Sequence, residues 1–112
     1  MTTGLNEVIH APNRLQICAF LSTVDRAAFS VIRDMLGVAD SVTSKHLKVL
    51  EDAGYVKLSK PSGKGRVKTW AELTPAGTRA YTEHVAALKA LIAGFHDNSD
   101  VVISNLNEEH DN

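Results

Sequence analysis

The chain has 112 residues, a formal net charge of −1 and 44% apolar residues, with one cysteine and three Phe, two Tyr and one Trp. That length suits a single domain, and that apolar content is too high for a disordered chain; the lone Cys18 excludes an intramolecular disulfide framework and a multi-cysteine zinc site. No apolar run approaches the ~18 residues of a membrane span, and the opening MTTGLNEVIHAPNRL has no basic segment followed by an apolar one, so a cytoplasmic protein without a secretory signal is expected.

In chain order, Leu5, Val8 and Ile9 suit a short first helical segment. Pro12 fits the first turn of a helix, where its missing N–H costs nothing. Leu15, Cys18 and Leu21, broadened by Ile17, Phe20 and Val24, form that helix's buried stripe. Ser30 is expected to cap the next helix, with Ile32, Met35 and Leu36 as its apolar face and Gly37 as its end. After a tight link, Asp40 or Ser41 is expected to cap a third helix over residues 41–53. Two short helices joined by about four residues fit a helix-turn-helix.

On the third helix Thr43, Leu47 and Leu50 share one side, while Ser41, Lys45, Lys48 and Asp52 lie opposite. Val42 and Ser44 flank the outer face, and His46 lies beside the buried stripe. Gly54 stops the helix. Tyr55–Leu58 and Val67–Leu73 alternate and are rich in β-formers, and SKPSGKGR between them marks a hairpin tip. Thr74 and Pro75 announce a last helix, about residues 75–95. Its Tyr81, Val85, Leu88, Ile92 and Phe95 follow a heptad-like spacing that suits self-association, with Leu5, Val8 and Ile9 as further candidates for that contact. Residues 1–95 thus form the domain, and 96–112 an acidic tail expected to be mobile.

The small net charge hides a segregation. Residues 41–72 carry seven basic and three acidic side chains, whereas 96–112 carry five acids and neither Lys nor Arg. The middle of the chain can therefore approach phosphate, and the tail would be repelled by it. The proposed reading surface comprises Ser41, Val42, Ser44 and Lys45 toward base edges, with Lys48 toward phosphate. Lys60, Ser62, Lys64, Arg66 and Lys68 form a basic hairpin that can lie on the backbone or enter a minor groove.

Helix, helix, helix, strand, basic loop, strand, helix is the order of a winged helix-turn-helix, a mainly α fold with a small β-hairpin. The runs VIRDMLGVADSVTSKHLKVLEDAGYV and AELTPAG resemble the small winged-helix transcriptional regulators of the MarR and ArsR groups. That resemblance implies a prokaryotic homodimer that binds double-stranded operator DNA and represses or activates transcription; a small-molecule effector is a separate candidate partner. Thr43 stands where such proteins usually carry a larger apolar residue; its methyl can still pack and its hydroxyl can bond back to the preceding turn. The alternative reading is a winged-helix module that meets an acidic protein and binds no DNA.

Other chemistries find little support. The five histidines are spaced without a metal-site pattern, so neither a metal nor another cofactor is expected. Cys18 lies on an apolar stripe, where thiols are usually inert. The Ser62–Gly65 stretch lacks the spacing of a phosphate-binding P-loop. No nucleophile has a partnered base, so an enzyme is not expected. Tyr55, Trp70 and Tyr81 are candidates to line an effector pocket, and equally to belong to the core.

Overall fold

The computed structural model describes residues 4–60 and 68–110, with 95–110 described as backbone only. Ser62, Lys64, Arg66 and the Phe95 side chain thus lie outside the described residues. The elements are α1 (Glu7–His10), α2 (Pro12–Leu21), β1 (Ala27–Ala28), α3 (Phe29–Leu36), α4 (Asp40–Asp52), β2 (Val56–Ser59), β3 (Trp70–Leu73) and α5 (Pro75–His110). The expected sequence of helices and hairpin is present, with one addition. Ala27 and Ala28 pair antiparallel with Ala71 and Trp70, so the sheet has three strands in the order β1-β3-β2.

Aliphatic side chains from every layer meet in one core: Ile9, Ile17, Cys18, Leu21, Ile32, Leu47, Leu50 and Val56, with Ala71 and Ala80 at the sheet and α5. The α2 stripe ends where the helix ends, at Leu21; Val24 lies beyond it and is exposed. Met35 also departs from expectation. It is exposed, because an eight-residue helix has only one side against the core and Ile32 occupies it. Ser30 does not cap α3, and neither Asp40 nor Ser41 caps α4: the extended capping positions are Ala28 and Ala39, without a side-chain bond. Asp40 instead begins α4 and accepts from Arg33 Nη1 at 3.1 Å, tying the end of α3 to the start of α4.

The joint between α4 and α5 accounts for two motifs at once. Gly54, at φ 81°, ends α4 in a conformation that L side chains rarely adopt. The Thr74 hydroxyl then donates to the Gly54 carbonyl at 2.6 Å, and the Thr74 N–H donates to the Tyr55 carbonyl at 3.0 Å. The same hydroxyl caps α5 by accepting from the Gly77 N–H at 2.9 Å. A Cβ on Gly77 would lie 2.0 Å from the Tyr55 carbonyl oxygen, so only glycine lets the first turn of α5 approach this closely. AGYV and LTPAG, twenty residues apart in sequence, are therefore the two halves of one contact.

Helix α5 continues to His110, through the stretch that sequence reading set apart as a tail. No proline interrupts it, and Gly94 has helix on both sides rather than ending it. The core-facing stripe of α5 is made of Gly77, Ala80 and His84. His84 is 1% exposed. The Asn6 backbone N–H donates to its Nδ1 at 2.9 Å, which leaves its proton on Nε2, facing His10 Nδ1 at 3.4 Å. Asn6 also caps α1 through its side-chain oxygen and donates to the Tyr55 hydroxyl at 2.9 Å. Burial, and then the neighbouring His10, push the His84 pKa down, so the ring is held neutral.

Candidate nucleic-acid interface

Helix α4 faces inward with Thr43, Leu47 and Leu50, all within 1% of full burial. The Thr43 hydroxyl donates to the Ala39 carbonyl at 3.1 Å, so this polar group is satisfied within the core, as the sequence suggested. Ser41, Val42, Ser44, Lys45 and Lys48 are exposed on the outer side. His46 fixes the helix laterally: its Nδ1 lies 3.2 Å from Arg14 Nη1 and its Nε2 lies 3.3 Å from Asn13 Nδ2. A guanidinium only donates, so Nδ1 carries the lone pair and Nε2 the proton; the Asn13 amide oxygen is then the natural partner of Nε2. Burial, then Arg14 and Lys45, lower the pKa of His46.

Helix α4 and the base of the hairpin share one groove of about 280 Å³. Ser44, Leu47 and Lys48 of α4 line one wall; Leu58, Lys60 and Thr69 line the other, over Phe29. Lys45 is exposed and, among the described residues, makes no ion pair. Lys48 is already engaged, with its ammonium 3.2 Å from Asp52 and 3.8 Å from Glu51 on its own helix. Its hydrogen bond to Asp52 is the chief cause of a raised pKa. Such exposed pairs are weak and exchange readily for another anion.

A second groove of about 230 Å³ continues from the first, sharing Phe29 and Thr69 and adding Ala28, Ser30 and Lys68. Beyond it stands Trp70. Ala71 is buried against the core, so alternation along β3 turns Trp70 to the sheet's outer surface. The Arg26 guanidinium carbon lies 4.3 Å from the Trp70 ring centroid, and the Lys68 ammonium 5.8 Å from it. Sequence reading missed Arg26, because its relation to the hairpin depends on β1, whose two alanines carry no strand signal.

The residues suggested for self-association divide. Ile9 is corrected: it is wholly buried in the protomer's own core and has no surface to offer a second copy. Leu5, Val8, Tyr81, Val85 and Leu88 are half-buried, and Ile92 is 61% exposed. On α5 they follow a stripe beside the small core-facing residues, so large apolar surface remains uncovered along one side of the helix.

Among the described residues no helix is long and apolar enough to cross a membrane, and no group of three or more His, Cys, Asp or Glu is arranged to hold a metal. Cys18 is buried, and burial pushes its thiol up to about 11.

Residues 13–92 match the family model described as a winged helix DNA-binding domain. An uncharacterised protein of Methanocaldococcus jannaschii is 30% identical over 79 residues, which is 70% of this chain and 86% of the relative. The structure of a transcriptional regulator homologue from Pyrococcus horikoshii OT3 superposes with a TM-score of 0.76 at 32% identity, covering 80% of this chain and 89% of that one. The fold also matches NadR, solved in complex with 4-hydroxyphenylacetate, with a TM-score of 0.65 at 20% identity over 95% of this chain and 77% of that one.

Proposed function

This chain belongs to the winged helix DNA-binding domain family, and on that premise we propose that it is a sequence-specific transcriptional regulator that grips duplex DNA as a homodimer. The observation that carries the reading is the shared groove, where Ser44 and Lys48 of α4 face Lys60 and Thr69 at the base of the hairpin. A helix in the major groove then has the base of a cationic hairpin beside it, on the side of the neighbouring backbone. Ser41, Val42, Ser44 and Lys45 meet base edges: lysine donates to guanine, serine serves several bases, and valine packs against a thymine methyl. Lys48 leaves its intrahelical acids for a phosphate. Lys60, Ser62, Lys64, Arg66 and Lys68 supply contacts that fix register without reading sequence.

Self-association uses the half-buried stripe of α5, Tyr81, Val85, Leu88 and Ile92, continued by Phe95, with Leu5 and Val8 beside it. Two-fold symmetry then matches two half-sites about one helical turn apart. Residues 96–112 are assigned no part in binding, since their acids repel phosphate. A small-molecule effector is the second reading. The grooves described in the protomer are each below about 300 Å³, the low end for such a site. We therefore assign an effector to space that a second copy would complete.

Selection of bound duplexes from a random pool tests the proposal. The expected outcome is a pseudo-palindromic site with half-sites about 10 base pairs apart. Recovery of no preferred sequence at moderate salt would favour a module that meets an acidic protein instead.

A further inference from the structure

We propose that Arg26, whose guanidinium lies over the Trp70 ring with Lys68 beside it, binds a phosphate of the same duplex and extends the DNA track beyond the base of the hairpin. The inference rests on the DNA-binding reading and adds a station to it. Four observations lead there. First, Trp70, the chain's only tryptophan, is not part of the core. It stands on the outer surface of the sheet, where its cross-strand neighbours are the small residues Ala28 and Ser59, which leave the ring a face to present.

Second, two cations converge on that one ring, at 4.3 and 5.8 Å. Among the described residues neither has an ion-pair partner. Glu72, on the same sheet face, sits opposite Lys57. The indole stabilises each cation modestly, and an anion between them would relieve their mutual repulsion further than solvent does.

Third, a guanidinium held over an aromatic ring through its charge still has N–H groups to give to an acceptor. Those groups form the fork that fits two phosphate oxygens. Fourth, the site lies on the line of the reading surface. The groove beside α4 shares Phe29 and Thr69 with the second groove, whose lining includes Lys68. A backbone that follows Lys48 and Lys60 meets Arg26 next. Duplex phosphate fits the site because the charges recur along a track.

The test compares wild type, Arg26→Ala, Arg26→Lys and Lys89→Ala on one selected duplex over a salt series, with thermal melting to establish that each variant is folded. Lys89 is an exposed lysine of α5 and serves as the charge-loss control. Losing one phosphate contact should flatten the slope of log Kobs against log salt by about 0.9, which with equal binding at 1 M salt is about an eightfold loss at 0.1 M. Arg26→Ala should show that loss and Lys89→Ala should not. Arg26→Lys should keep most of the slope.

Trp70 emission gives an independent readout. It should change on adding the duplex and recover at high salt, while inorganic phosphate alone should leave it nearly unaltered. If wild type binds DNA but Arg26→Ala matches Lys89→Ala in slope and affinity, this station is wrong and the DNA reading stands. If Trp70 emission is indifferent to bound duplex, the station is wrong as well. If wild type binds no duplex at any salt, both readings fall together.

Discussion

The surface around α4 and the seam between α1 and α5 use polar groups in opposite ways. Around α4, Ser41, Ser44, Lys45 and Lys60 stand in solvent, and Lys48 holds only an exposed, exchangeable pair. At the seam, Asn6, His84 and Tyr55 are linked by hydrogen bonds, with His84 almost wholly buried. An exposed polar group costs little to leave unpaired and is free to meet a partner. A buried one fixes geometry, and its loss strands a donor or acceptor away from water. Substitutions in the two regions should therefore separate into those that change stability and those that change binding.

The largest effect is expected at the joint below the seam. In Gly77→Ala the new methyl would overlap the Tyr55 carbonyl oxygen, and both are anchored to backbone. A loss of about 3 kcal/mol is expected, read as a fall in Tm of more than about 10 °C. A change of a degree or two would show that α5 can shift away from Tyr55 at little cost. Next comes His84→Ala, which leaves the Asn6 N–H without its acceptor and opens a cavity. About 2 to 3 kcal/mol should be lost by denaturant titration. If this variant matches wild type, the buried chain of hydrogen bonds contributes no stability.

Acidity should act on the same region, and on His46. Both rings have folded pKa values lowered by burial, so the unfolded chain binds more protons as pH falls. Their contribution is present above the ordinary histidine value of about 6.5 and is lost as pH drops from there toward the lower folded values. Tm should be level between pH 7 and 8 and decline below about 6.5, with a shallower decline in His84→Ala. A Tm that rises on mild acidification would contradict the tautomers assigned above.

The smallest effect on stability, with the largest on binding, is expected at Lys45. Lys45→Ala should alter stability by less than about 0.5 kcal/mol. It should also reduce discrimination between a selected and a scrambled duplex by about 1 to 3 kcal/mol. Lys64→Ala should instead weaken both duplexes alike. Parallel losses from the two variants would abolish the distinction between reading helix and hairpin.

The two regions also differed in how plainly the sequence announced them. The inward side of α4 was legible because apolar residues recur there at helical spacing, and Thr74 with Pro75 states a helix start in local chemistry. Thr43 could be placed because its hydroxyl is satisfied one turn back. The seam was obscure for the converse reason. His84 breaks the apolar pattern of α5, and it is Asn6 and His10, far away in sequence, that make its burial tolerable.

Strand β1 has no pattern of its own, and its existence follows from the edge that β3 offers. Capping positions shifted to Ala28 and Ala39 because tertiary packing set the ends of α3 and α4, leaving the Asp40 carboxylate to Arg33. Tyr81, Val85, Leu88 and Ile92 recur at heptad-like spacing in the sequence. Periodicity alone could not separate them from the Gly77, Ala80 and His84 stripe that faces the core.

The central claim is that α4 and the base of the hairpin form one surface for duplex DNA, with sequence read by the helix. The most direct measurement is the ratio of affinities for a selected and a scrambled duplex, taken across a salt series with wild type and Lys45→Ala. The account predicts a large wild-type ratio that persists as salt rises while both affinities fall, and a ratio sharply reduced in the variant. Equal binding of the two duplexes by wild type at every salt concentration would contradict it.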